Sequence, residues 1–232
     1  MGLGKTPRLL LLDLDCVTLY GGNPRDGLPP EVYLLHPDLP DTLAQFGAPV
    51  VLLTHRSRED ADYLNRCLQA HGVVVQGIVS ARELFLSALR QGKIRLLVNK
   101  GLSKSLALDW LERRYDCKRT DMVLIDDRAE NLQELCDNGM QAGILAPFVA
   151  PDSFDQQAEL TTFQFADVVA QWHAPQAWPT PIFTPPTCTR TLAELPLIGS
   201  LSSAKLSYFE QGRQLIKSLR RWQQRLFRSS VQ

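Results

Sequence analysis

Apolar residues in this chain come in short runs, and the runs end in polar side chains. Leu9 to Leu12 is an unbroken leucine run followed by Asp13 and, two positions on, by Asp15. Such a run, without alternation, reads as a strand buried on both faces, as in a parallel sheet. Pro49 to Leu53 repeats the pattern and ends in Thr54. Met122 to Ile125 repeats it and ends in Asp126-Asp127. Val73 to Ile78, Ile94 to Val98 and Gly143 to Leu145 read as further strands, the last of these closing the series.

Between the runs the spacing predicts helices. Asp41 to Phe46 is a short one. Ser57-Arg58-Glu59-Asp60 has the spacing of a capping box, Ala61, Leu64 and Leu68 continue an apolar face, and Gly72 stops the helix. Ala81 to Arg90 is another. Ser103 can cap a helix running to about Tyr115, and Asp127 or its neighbour starts one containing Asn131, Leu132 and Leu135. Phe163 to Trp172 reads as the closing helix. Leu19 to Leu39, rich in Gly and Pro, reads as a loop that can fold as a flap over the strand ends. Alternating strands and helices argue for an α/β domain, doubly wound around a mostly parallel sheet.

Composition changes past Trp172. Pro175, Pro179, Pro181, Pro185, Pro186 and Pro196 suggest a stiff linker or a strap along the domain. Leu201 to Arg228 then reads as a helix with Leu215, Ile216, Leu219, Trp222 and Leu226 as its apolar stripe. The chain thus divides into a domain over residues 1–172, a Pro-rich linker or strap over 173–199 and a basic amphipathic helix over 200–232. The 232-residue chain has a formal net charge of zero, which excludes a polyanion binder as a whole and leaves no specific nucleic-acid signal. The charge is uneven, however. Seven Lys/Arg and one acid between Lys205 and Arg228 give that segment +6 and the remainder −6. Such a helix can lie on an anionic membrane surface, dock on a protein partner, or pack against its own domain or a second subunit.

The five cysteines, Cys16, Cys67, Cys117, Cys136 and Cys188, are scattered without a C-x-x-C pair, as expected of reduced thiols in a cytoplasmic protein. No signal peptide and no membrane-spanning run is evident. Gly2 to Thr6 resembles the end of a phosphate-binding loop but lacks its leading Gly and its preceding strand, and reads as a flexible start.

The candidate chemistry sits at the ends of the apolar runs. In a strand, residues two apart point the same way, so Asp13 and Asp15 can line one side of a strand end. Ligands of open parallel sheets bind beyond such ends, and paired carboxylates there need a positive partner such as a metal ion. Thr54, Lys104 and Asp126-Asp127 follow in order, each at the end or start of its own element. In this order the chain resembles the haloacid dehalogenase-like (HAD) superfamily of phosphohydrolases. The residues that carry the resemblance are Asp13-Leu14-Asp15-Cys16-Val17, Thr54, Lys104-Ser105-Leu106-Ala107-Leu108-Asp109-Trp110-Leu111, and Asp126-Asp127 with Asn131. It covers roughly residues 8–172. Cys16 departs from the family, which usually has Gly there, and Lys100 rivals Lys104 for the lysine role.

The resemblance implies a Mg2+-dependent phosphatase acting on a phosphate monoester. In that scheme Asp13 attacks phosphorus and becomes an aspartyl phosphate, and Asp15 serves as acid and then base. Thr54 and Lys104 hold the phosphoryl group. Asp13, the backbone carbonyl of Asp15, and Asp127 hold Mg2+, supported by Asp126 or Asn131. In the family the residues after such a threonine, here His55 and Arg56, can meet substrate. The spaces for cap insertions, between Thr18 and Pro49 and between Thr54 and Lys104, are used by a flap and by ordinary elements. A capless or nearly capless site follows, open to bulky substrates. A non-catalytic protein of the same fold, working through its basic C-terminal helix, is the other class the sequence allows.

Overall fold

The computed structural model describes residues 8–24, 27–95, 97, 101–140, 142–174 and 182–201. The fold is α/β and Rossmann-like. Its centre is a six-stranded sheet built from β1 (Leu9–Leu12), β4 (Val50–Leu53), β5 (Gly77–Val79), β6 (Met122–Asp126), β7 (Ala142–Leu145) and β9 (Ile182–Phe183). The order is β5-β4-β1-β6-β7-β9, and each neighbouring pair runs parallel. The leucine run therefore lies in the middle of the sheet.

Its unbroken apolar character now has a physical reason. Leu10 and Leu12, with Val50, Leu52, Val123 and Ile125, pack on one side of the sheet against α1 (Leu39–Gln45), α2 (Arg58–Ala70) and α6 (Phe165–Trp172). Leu9 and Leu11, with Val51, Leu53, Met122 and Leu124, pack on the other side against α3 (Ala81–Arg90), α4 (Leu108–Tyr115) and α5 (Ala129–Asp137). Every position of β1 is fully buried, and each leucine contributes roughly 1.5–3 kcal/mol by leaving water. Trp172 closes one layer by stacking edge-on against Phe46, and its ring N–H donates to the Phe46 carbonyl at 3.1 Å.

Several expectations are corrected. Leu19 to Leu39 is not simply a loop. It contains the antiparallel hairpin β2 (Leu19–Gly21) and β3 (Glu31–Leu34), and β11 (Leu197–Ser200) adds to β3 as a third strand. The strand expected at Val73 to Ile78 is Gly77–Val79, because Val73 turns into the core while Val74 is exposed. Ile94, Arg95 and Leu97 are helical, although their run reads as a strand, and Val98 lies outside the described residues. Short apolar runs do not by themselves separate the two structures.

Gly143 to Leu145 is not the last strand, since β8 (Glu159–Phe163), β9, β10 (Thr187–Thr191) and β11 follow it. Within the Pro-rich segment, β9 extends the central sheet, β10 pairs with β8 and β11 joins the flap, so residues 182–199 pack as a strap, while Pro175, Pro179 and Pro181 lie outside the described residues. The helix expected over 200–232 falls, after Leu201, outside the described residues, as do Gly2 to Thr6 and Lys100. Among the described residues no helix is long and apolar enough to cross a membrane.

Candidate active site

Strand parity builds the site. Leu9, Leu11 and Asp13 share one side of β1, while Met122, Leu124 and Asp126 share the same side of β6. β1 and β6 run in register, Leu12 beside Ile125, so Asp13 and Asp126 come level one residue further on. The Asp13 N–H donates to the Ile125 carbonyl at 3.0 Å and fixes that level. Both carboxylates point toward the layer that contains α4. Just ahead of α4, Ser103 caps a 3-10 turn at Lys104–Ala107, its hydroxyl accepting from the Ser105 N–H at 3.0 Å. That turn brings Lys104 between the two acids. Its ammonium lies 2.9 Å from Asp13 Oδ2 and 2.5 Å from Asp126 Oδ2, and all three residues are buried.

Asp126 is held from several directions. Arg128 N–H and Asn131 Nδ2 each donate to its Oδ1 at 2.9 Å, Asn131 also reaches Oδ2 at 3.1 Å, and Lys104 takes Oδ2 as well. Asn131 thus acts on Asp126. Asp127 stands beside them, and ligand atoms of Asp13, Asp126 and Asp127 lie within 4.8 Å of one another. Burial, then Asp126, raises the Asp127 carboxyl to about 6. Burial also drives Asp13 well above the ordinary carboxylate range, against the pull of Lys104. The same burial disfavours a charged Lys104, but Asp13 and Asp126 outweigh it and hold the ammonium charged.

Three carboxylates against one ammonium leave two negative charges uncompensated when all are ionised. A divalent cation with oxygen ligands supplies that balance, and Mg2+ prefers carboxylate oxygens and water. The donor set therefore fits a hard divalent cation, with Asp13, Asp126 and Asp127 as the carboxylates close enough to share it.

The loop after Asp13 is tightly stitched. Thr18 Oγ1 donates to the Asp13 carbonyl at 2.6 Å, the Thr18 and Leu19 amides both donate to the Leu14 carbonyl, and Cys16 N–H donates to Leu19 O at 2.8 Å. Cys16 sits at φ +59°, in the left-handed region that Gly adopts at least cost. Burial, then Asp127, pushes the Cys16 thiol far above its ordinary value and so favours the protonated thiol.

Asp15 does not join the carboxylate cluster. Its side chain turns to Arg56, whose Nε donates to both its oxygens at 3.0 and 3.1 Å and whose Nη2 donates to Oδ1 at 2.5 Å. Only its backbone carbonyl remains for the metal role expected of it. Thr54 is fully buried one residue past β4, and its Oγ1 accepts from the Arg56 N–H at 3.1 Å. His55 is largely buried, with Nε2 unpartnered. Burial, then Lys104, lowers its pKa to about 4, so the ring is neutral. The structure places Asp13, Lys104, Asp126 and Asp127 near one another, whereas sequence reasoning assigned Asp126 only a supporting part and did not point to Arg56 as the partner of Asp15. An arginine two positions after a strand-end hydroxyl, facing an unpaired acid on the neighbouring loop, was the available signal.

No family model matches the chain, and no curated protein matches it. Among solved structures the chain is similar to an uncharacterized protein from Corynebacterium glutamicum ATCC 13032 Kitasato, at 20% identity and a TM-score of 0.36, over 64% of this chain and 87% of that one. That likeness is too distant to carry a functional argument.

Proposed function

We propose that this protein is a Mg2+-dependent phosphatase of the HAD-like type, acting on a phosphate monoester through an aspartyl-phosphate intermediate. The observation that carries the reading is Lys104 lying between Asp13 and Asp126 at the carboxyl ends of β1 and β6, with Asp127 within reach. A carboxylate approaching a phosphate needs cations to offset the charge, and this arrangement can provide them.

In the proposed reaction an oxygen of Asp13 forms a bond to phosphorus while the bond to the ester oxygen breaks. Asp15 donates a proton to the departing oxygen. Water then attacks the phosphorus, Asp15 takes its proton, and the Asp13–phosphorus bond breaks to release phosphate. Thr54 and Lys104 contact the phosphoryl oxygens, by hydrogen bond and by charge. Mg2+ held by Asp13, Asp127 and the Asp15 carbonyl would screen the two like charges and polarise the phosphoryl group.

Between Thr54 and Lys104 the described residues form α2, β5, α3 and one further helical stretch, which supports a site without a large cap and a substrate that can be bulky. The test is hydrolysis of a generic aryl phosphate with Mg2+, abolished by EDTA and, with the fold intact, by Asp13→Asn. Activity retained by Asp13→Asn would overturn the nucleophile assignment.

A further inference from the structure

Arg56 uses its guanidinium on two structures at once. Besides the fork onto Asp15, Nη2 donates to the Gly21 carbonyl at 3.0 Å and Nη1 to the Gly22 carbonyl at 2.7 Å. The side chain is only 8% exposed, against 37% for Asp15. Gly21 ends β2, the first strand of the flap, and Gly22 follows it. Gly21 has φ +93°, and a Cβ there would stand 2.0 Å from the Glu31 carbonyl oxygen. Gly22 has φ +66°, and its Cβ would stand 2.6 Å from Val32. The backbone thus holds a shape that favours glycine, and the crowding at both positions leaves no space for a Cβ, with both carbonyls turned to one guanidinium. Among the described residues the hydrogen bonds to the Asp15 carboxylate oxygens come from Arg56.

We infer that Arg56 is a positioning residue that couples the flap to the acid–base carboxylate. A planar fork fixes both the place and the plane of the carboxylate it grips, which a lysine does not do. Through that grip Arg56 keeps Asp15 out of the Asp13/Asp126/Asp127 cluster and on the exposed side, where a leaving group departs. Through the Gly21 and Gly22 carbonyls the same guanidinium is held only while the flap lies closed. Lifting the flap removes two of its acceptors and frees Asp15 from its set orientation, so proton transfer is confined to the closed state. This leaves Arg56 little to offer a substrate in the closed state, because four of its five N–H donors are engaged by Asp15, Gly21 and Gly22. The acid–base half of the inference rests on the phosphatase reading, while the flap coupling does not.

Two arms test it, on the full chain, with Arg56→Ala and Arg56→Lys. In the first arm, hydrogen exchange is followed at the amides of β2 and β3 and at those of β1, β4 and β6. Both variants are expected to speed exchange in the flap about tenfold or more while the central sheet keeps wild-type rates, since local opening is separable from global unfolding. Uniform acceleration across the sheet, or an unchanged flap, overturns the coupling.

In the second arm, turnover with Mg2+ is compared for p-nitrophenyl phosphate and for phenyl phosphate, whose leaving group needs the proton more. Arg56→Ala is expected to lower kcat about 100-fold for phenyl phosphate and distinctly less for p-nitrophenyl phosphate, with KM little changed. The double variant Arg56→Ala/Asp15→Asn is expected to be no slower than Asp15→Asn alone. Equal losses on both esters, or losses that multiply in the double variant, overturn the positioning role. If the wild type hydrolyses neither ester, the phosphatase reading and the acid–base half fall together, and the flap coupling is decided by the exchange arm.

Discussion

The Lys104 ammonium lies 2.9 Å from Oδ2 of Asp13, and both side chains are almost wholly withdrawn from water. A buried pair of this kind is held less by its own attraction than by the cost of breaking it, because the partner left behind is a desolvated charge. Lys104→Met removes the ammonium and leaves Asp13 and Asp126 facing each other. Urea unfolding in EDTA at pH 8 is expected to show a loss of about 3–5 kcal/mol. At pH 5 the loss is expected to be clearly smaller, since Asp13, whose carboxyl burial already shifts up, is then uncharged. Equal losses at the two pH values would refute the assignment of Lys104 as their counter-charge.

The raised carboxyls set the pH dependence of the metal-free protein. Asp127 is shifted up to about 6, and Asp13 is shifted in the same direction. The folded state therefore binds more protons than the unfolded chain above the ordinary carboxylate range. Their contribution to stability is present in full below that range and is lost as pH rises through about 6 and on through the Asp13 transition. In EDTA the melting temperature is expected to fall between pH 5 and pH 8 and to fall less in Asp127→Asn. Added Mg2+ is expected to raise it more at pH 8 than at pH 5, because ligand protons must leave before the cation binds. A metal-free melting temperature that climbs over this interval would contradict the cluster.

How much of this was legible before the fold was known depended on whether local pattern or distant pairing decided each element. β1, β4 and β6 are buried on both faces, which requires apolar side chains at every position, so their runs stand out. Asp13 and Lys104 follow from those runs and from the Ser103 cap. Which member of Asp126-Asp127 turns inward is set by the parity of β6, and parity depends on where the strand begins. The flap was hidden for another reason. β2 and β3 lie in a Gly- and Pro-rich stretch, and β3 gains its second neighbour from β11, far along the chain. Arg56 was underread because its partners, Asp15, Gly21 and Gly22, are brought to it by tertiary folding.

Cys16 offers a direct test of backbone strain in the loop that carries Asp15. At φ +59° any Cβ crowds the following carbonyl, and Gly escapes that penalty. Comparing Cys16→Gly with Cys16→Ala removes the thiol in both and leaves the backbone as the difference. Cys16→Gly is expected to be more stable than Cys16→Ala by about 1 kcal/mol in urea unfolding, after the greater unfolded-state freedom of Gly is allowed for. If Ala proves equal or better, the loop does not hold a left-handed residue at position 16 in solution.

The end of the described chain sits against the flap, and this separates two truncations. β11 pairs with β3, the Ser200 N–H donates to the Tyr63 hydroxyl at 3.2 Å, and the Leu201 N–H donates to the Pro30 carbonyl at 2.8 Å. Ile198 is buried in the core layer shared with α2. Removing residues 196–232 strips a strand from the flap sheet, uncovers the edge of β3 and opens space beside Tyr63 and Cys67. That truncation is expected to lower the melting temperature by several degrees, since the loss of one buried Ile and its strand pairing amounts to about 2 kcal/mol or more. Removing only residues 202–232 keeps β11 and Leu201 and is expected to leave the melting temperature within about 2 °C of the full chain. The shorter deletion removes the +6 segment between Lys205 and Arg228 with its apolar stripe. It is therefore the variant in which co-sedimentation with anionic vesicles is expected to disappear. In the full chain that binding is expected to weaken with salt, because the attraction of basic side chains to an anionic surface is screened within a Debye length. A full chain that stays in the supernatant with anionic vesicles at low salt, beside a 202–232 deletion with a collapsed melt, would assign the segment to the folded core and exclude the membrane role.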